Sequence, residues 1–128
     1  MARIRVKEAA ALLGVSPDTV RRWIDQGALP GTKDEAGRLA VAGPDLARWA
    51  QHLADSPVGP HSTSARNRLT GLVTDVRSDT VMSQVTLQCG PFRVVSLMST
   101  EAVTDLGLEV GSVARAVIKS TNVIVEAP

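Results

Sequence analysis

Two short stretches of this 128-residue chain hold residues that could do chemistry: Ser64-Ala65-Arg66-Asn67 and, far along the sequence, Lys119-Ser120-Thr121. Each combines a cation with small hydroxyl residues, and neither contains an acid. A doubly charged tetrahedral oxyanion needs such donors: backbone N–H groups, hydroxyls and cationic side chains, with no carboxylate to repel it. Ser64, Arg66, Lys119, Ser120 and Thr121 supply donors at two chain-distant points. A barrel could bring those points together, within one chain or across a subunit boundary.

The elements that must position them follow from pattern. Asp55 to Thr63 carries two prolines and a glycine with no apolar period, which reads as a linker over 55–63 between a domain at 1–54 and a second at 64–128. The second half alternates as strands do. Strands are expected at about Leu69–Val76, Val81–Cys89, Phe92–Met98, Ser112–Ile118 and Val123–Glu126. Val81, Val85, Leu87 and Cys89 share one face, as do Phe92, Val94 and Met98. Ser99-Thr100-Glu101 opens one short helix that closes at Gly107. Strands around a single short helix suggest a small OB-like β-barrel.

The first half is helical in pattern, so the fold class is α+β in two domains. A helix at about Val6–Leu13 ends at Gly14. Ser16 caps the next helix, Pro17 fits its first turn and Asp18 suits the positive end of its dipole. That helix runs to about Gln26, where Gly27 stops it. Leu29 to Val41, with the charged tip Lys33-Asp34-Glu35, reads as a two-stranded hairpin. A third helix from Pro44 carries Leu46, Trp49, Ala50 and Leu53 on one stripe. Ala10, Gly14 and Val20 stand where a helix-turn-helix needs a small residue for close approach, a left-handed turn and an apolar plug.

On the second helix Val20, Trp23 and Ile24 face inward, leaving Thr19, Arg21 and Arg22 to point elsewhere. Val6-Lys7-Glu8-Ala9-Ala10, Leu13-Gly14-Val15-Ser16, Thr19-Val20-Arg21-Arg22-Trp23 and Gly27-Ala28-Leu29-Pro30 together resemble the winged helix-turn-helix of MerR-type regulators and phage excisionases. The resemblance implies that this second helix lies in the major groove of double-stranded DNA, with Ser16, Thr19, Arg21 and Arg22 at the groove and Lys33 and Arg38 of the hairpin wing on phosphates. The alternative for Arg21 and Arg22 is a solvated face, partly paired with Asp18 and Asp25.

Ser64 to Glu126 resembles the Mop, TOBE-type molybdate-binding domain. The residues that carry the likeness are Ser64-Ala65-Arg66-Asn67 with Leu69 and Gly71, Val103-Thr104-Asp105-Leu106-Gly107-Leu108, Gly111-Ser112 and Ala116 to Val123. It implies a barrel that pairs between subunits, as a dimer or higher homo-oligomer, and binds molybdate or tungstate at subunit interfaces. Ser64, Ala65, Arg66 and Asn67 would come from one side and Lys119, Ser120 and Thr121 from the other. Ser99 and Thr100 would add a hydroxyl or N–H at the short helix. Where the family often has a serine after the glutamate of that turn, this chain has Ala102, one hydroxyl fewer.

Composition narrows the rest. Net charge is +1, so any attraction to DNA must come from a local patch. The aromatic content of 2% leaves no stacking platform for single strands. Cys89 is the only cysteine, which excludes an intrachain disulfide and a multi-cysteine metal site and suggests a buried, inert thiol. His52 and His61 are too far apart in sequence to suggest zinc. No P-loop and no Ser-His-Asp set occur, so no catalytic residue is assigned and an enzyme is not expected. No apolar run could span a bilayer and the start lacks a signal peptide's apolar core, so no membrane partner and a cytoplasmic location are expected. The functional expectation is a molybdate- or tungstate-responsive transcription factor. The alternatives are an oxyanion storage protein, which would show no specific footprint, and an excisionase-like architectural DNA binder, which would take up no molybdate.

Overall fold

The computed structural model describes residues 2–54 and 63–128. The chain divides into two compact units, Met1–Ser56 and Pro57–Pro128. The expected linker lies outside the described residues except at Thr63, and His61 lies outside them too. Among the described residues there are four α-helices and two sheets, an α+β protein.

In the first unit, strand β1 (Arg3–Arg5) precedes α1 (Val6–Leu13) and α2 (Pro17–Asp25). Strands β2 (Thr32–Lys33) and β3 (Leu39–Ala42) then lead into α3 (Gly43–Leu53). The α1–α2 turn forms as its residue types demand. Gly14 takes a left-handed φ of 68°, its N–H returns to α1 carbonyls, and Ser16 Oγ accepts the Thr19 N–H at 3.2 Å to cap α2. Ala10 and Val20 are buried in a core with Val6, Ala9, Leu29, Val41 and Leu46. Trp23 and Trp49 pack against it edge to face, 5.4 Å apart. The expected two-stranded hairpin is part of a three-stranded antiparallel sheet in the order β1-β3-β2. The third strand went unforeseen because three residues around Ile4 are too few to show a period.

The second unit is a four-stranded antiparallel sheet, order β6-β5-β4-β7, curled into an OB-like half-barrel. Its strands are β4 (Asn67–Ser78), β5 (Met82–Cys89), β6 (Phe92–Ser99) and β7 (Val113–Ile118), with α4 (Thr100–Leu106) between the last two. Val73, Val85, Leu87, Cys89 and Val103 form the inner core, with Val94, Met98, Leu108 and Ala114 packed around it. A bulge between Val73 and Asp75 bends the long strand, as barrel closure requires. Cys89 is buried as expected, its thiol directed at the Leu69 carbonyl.

Two strand expectations are corrected. Val81 is not part of β5 and is exposed, because the Asp79 carboxylate takes the Val81 and Met82 N–H groups at 2.8 and 2.7 Å and makes a turn there. Phe92 shares a face with Val94 and Met98 as expected, opposite Cys89, though at the start of its strand it stays exposed. Val123–Glu126 forms no strand: one 3-10 turn, Ser120–Asn122, follows β7, and the chain then runs on without a ladder partner. Ile124 is 94% and Val125 87% exposed. At the two ends of the sheet β6 and β7 stay unpaired, and an apolar trough of about 830 Å³ opens there, lined by Leu97, Leu106, Val113 and Val117 among others.

Candidate functional site

The two oxyanion-type stretches meet through strand register. Strands β4 and β7 pair Asn67 with Ile118 and Arg68 with Val117. The ladder ends at Asn67 and Ile118, so Arg66 and Lys119 each directly adjoin its last pair, and Ser120 then opens the 3-10 turn. Asn67 fastens this end: its Nδ2 donates to the Ile118 carbonyl at 3.1 Å, which uses one of its two amide N–H donors. Ala65 is buried and its N–H goes to Thr63 Oγ1 at 3.2 Å. Ser64, Arg66, Lys119, Ser120 and Thr121 are all exposed.

The electrostatics at this end are one-sided. Among the described residues the arginines in ion pairs are Arg5, Arg21, Arg38, Arg48 and Arg77. Arg66 and Lys119 have no acidic partner, nor do Arg68 and Arg115 on the same two strands. Sequence reasoning missed Arg68. Its signal was its place two residues after Arg66, which in a strand puts it on the same face.

Ser99 and Thr100 stand elsewhere. Ser99 pairs with Met82, and Ser83 pairs with Ser78, so both lie at the Ser78 end of β4. Arg66 adjoins the Asn67 end of that 12-residue strand, roughly 40 Å away along the chain by ordinary strand rise. Within one chain, then, Ser99 and Arg66 adjoin opposite ends of β4. Thr100 is also committed internally: its hydroxyl donates to the Asp79 carbonyl at 2.9 Å and meets Ser83 Oγ at 2.8 Å, while its N–H goes to Val81. Ser99 Oγ caps α4 by accepting the Ala102 N–H at 3.1 Å and keeps its own proton to donate.

In the first unit, Ser16 and Thr19 bond to each other at the start of α2, Oγ to Oγ1 at 2.9 Å. Arg21 pairs with Asp18 at 3.0 Å, as the solvated-face alternative expects, whereas Arg22 makes no ion pair with Asp25. An exposed pair of this kind is weak, and a phosphate can displace the acid. On the wing, Lys33 is exposed and unpaired among the described residues. Arg38 lies 3.8 Å from Asp34.

Asp34 organises the wing. Its Oδ1 accepts the Ala36 and Arg38 N–H groups, each at 2.9 Å, and its Oδ2 accepts Arg5 Nε at 3.1 Å. The Arg38 N–H, foremost, and then the Arg5 side chain hold its carboxyl below the usual carboxylate range, against a partial opposing effect of desolvation. A lowered folded-state pKa adds stability above the ordinary carboxylate value, and that stability is lost as pH falls through the lowered one. Asp34→Asn is therefore expected to shrink the acid-side fall in melting temperature between about pH 6 and about pH 2. Asp79, lowered by the Met82 and Val81 N–H groups, retains its own share. An unchanged acid limb in circular-dichroism melts would count against this role.

Residues 63–125 match the TOBE domain model, and residues 4–53 match a helix-turn-helix domain model. Over 65 residues the chain is 42% identical to molybdenum-pterin-binding protein 3 of Clostridium pasteurianum, covering 50% of this chain and 96% of that protein. The chain belongs to the TOBE family. Its TOBE unit is carried behind a helix-turn-helix unit. Among solved structures it is similar to a molybdate-binding protein from Sporomusa ovata, with 27% identity, a TM-score of 0.50, and 52% of this chain and 100% of that one covered. It is also similar to the cytoplasmic molybdate-binding protein ModG with molybdate bound, with 42% identity, a TM-score of 0.51, and 53% and 49% covered. Neither matched domain family is a catalytic one, and the described residues of the TOBE protein hold no cluster of His, Cys, Asp or Glu suited to a metal ion. No helix among them is long and apolar enough to cross a membrane.

Proposed function

We propose that this protein is a cytoplasmic transcriptional regulator that binds double-stranded DNA through residues 1–54 and responds to molybdate or tungstate held by residues 64–128, with 55–63 as the linker. The observation that carries the reading is the β4–β7 ladder, whose last pair, Asn67 and Ile118, is directly adjoined by Arg66 and Lys119, neither with an acidic partner among the described residues, in a chain that also has a helix-turn-helix. Ser64, Arg66, Lys119, Ser120 and Thr121 would supply donors from one chain. Ser99, at the far end of β4, would come from another, so a complete site needs a homo-oligomer. The open trough and the exposed Ile124 and Val125 support that assembly: a sheet with two unpaired ends and an unpartnered apolar segment invites a second copy. On DNA, Thr19, Arg21 and Arg22 would face the major groove, with Ser16 at the start of the helix and Lys33 and Arg38 on flanking phosphates.

Ligand bound across subunits would change how the DNA-reading helices are spaced against half-sites about 34 Å apart. The test is a mobility-shift assay on the protein's own operator with and without molybdate. At least a fivefold difference in affinity is expected, the low end of ordinary coupling energies. Equal affinity sinks the regulatory reading. Stoichiometric molybdate uptake with no specific footprint would make the protein a storage protein instead.

A further inference from the structure

We infer that Arg68 is a further oxyanion-binding residue of this chain, extending the cationic shell beyond Arg66 and Lys119; the inference rests on the molybdate reading above. Three observations converge on it. Arg68 and Val117 are direct partners in the β4–β7 ladder, and Thr70 and Arg115 are the next same-face pair inward. Arg68 and Arg115 thus share one face as diagonal neighbours about 7 Å apart, and Arg66 and Lys119 adjoin the end of the same ladder.

None of these four is ion-paired among the described residues, and like charges this close repel one another across a strand pair. Arg68 is also the one arginine there whose Nε is shut from solvent with no hydrogen-bond partner. A guanidinium N–H stripped of water and left unpaired is unfavourable by itself. With that N–H turned inward, an incoming anion is met by the remaining guanidinium N–H groups and neutralises the row.

The chain's donor inventory gives Arg68 a purpose. The Thr100 hydroxyl is consumed by Asp79 and Ser83, one Asn67 amide N–H by Ile118, and Ala102 carries no hydroxyl. Arg68 replaces neutral donors with a charged one, which favours dianions over monoanions because the attraction scales with ligand charge.

The experiment is calorimetric titration of the full chain with molybdate and with perrhenate, a tetrahedral monoanion. Arg68→Met keeps the apolar stem and removes the charge. It is expected to weaken molybdate about tenfold and perrhenate about threefold, with a melting temperature no lower than that of the wild type. A merely structural role would weaken both anions equally, and that result overturns the inference. Wild-type molybdate affinity in Arg68→Met alongside loss in Arg66→Ala also overturns it, while the molybdate reading stands. A wild-type chain that binds no molybdate removes both. Should Arg68→Met fail to fold, Arg68→Lys is read instead. It keeps the charge without the Nε–H donor, so molybdate is expected to weaken about threefold, and unchanged affinity counts against Arg68.

Discussion

Arg66→Ala is expected to lower molybdate affinity by about 100-fold in calorimetric titration, with sulfate as the control anion. A hydrogen bond from a charged donor contributes about 1.5–3 kcal/mol, and each 1.4 kcal/mol is tenfold. Arg66 stands at the upper end of that range because no acid of the described residues competes for it and because Lys119, like Arg66, adjoins the last pair of the β4–β7 ladder. The loss should come without destabilisation. Arg66 is exposed, lies outside the β4 ladder and has no hydrogen bond in the described structure to forfeit, so the thermal melt of the variant should match the wild type. Arg66→Lys should recover part of the affinity, since the charge remains but the planar two-pronged geometry does not. Near-wild-type affinity in Arg66→Ala would show that the anion binds elsewhere.

Gly71→Ala is the largest expected effect on stability. A Cβ at this position would sit 2.6 Å from Cys89 Sγ and 2.6 Å from the Gln88 carbonyl oxygen. The first atom belongs to a buried core side chain and the second to the backbone of the adjoining strand, so neither can swing away. Overpacking usually costs 1–3 kcal/mol, and a double clash against a strand places this one at about 3 kcal/mol or above. Denaturant melts measure it. Gly90→Ala makes a useful contrast: its φ is +58° but nothing lies within 4 Å of the added carbon, so only the strain of about 1–2 kcal/mol applies. Cys89→Ala in the Gly71→Ala background should recover part of the loss, because the Gln88 carbonyl stays in place. Equal melting of Gly71→Ala and wild type would mean that β4 and β5 separate more easily than their ladder implies.

Local chemistry was legible in the sequence. Gly14 turned left-handed, Ser16 capped α2, Val20 filled the core and Val85, Leu87 and Cys89 faced inward, because each depends on neighbours a few residues away. Val123–Glu126 failed for a different reason. Alternation states which face a strand would bury, not whether a neighbouring strand exists to receive it. The site was half legible. Residue type singled out Arg66 and Lys119 as candidate oxyanion donors, but the ladder whose end they adjoin, and the pairing that carries Ser99 to the far end of β4, arise from long-range contacts. Thr100 looked available because its demands come from Ser83 and the Asp79 carbonyl, which no spacing reveals.

The length of β4 has a quantitative consequence under the two-chain reading. A receptor complete in one chain responds to anion concentration alone. With Arg66 beside one end of a 12-residue strand and Ser99 beside the other, no single copy presents both, and occupancy depends on how many copies are present. The anion threshold then falls as the protein becomes more abundant, by mass action on assembly. Gene dosage would set sensitivity, and a cell could retune its response by making more or less of the sensor without altering a single residue of the site.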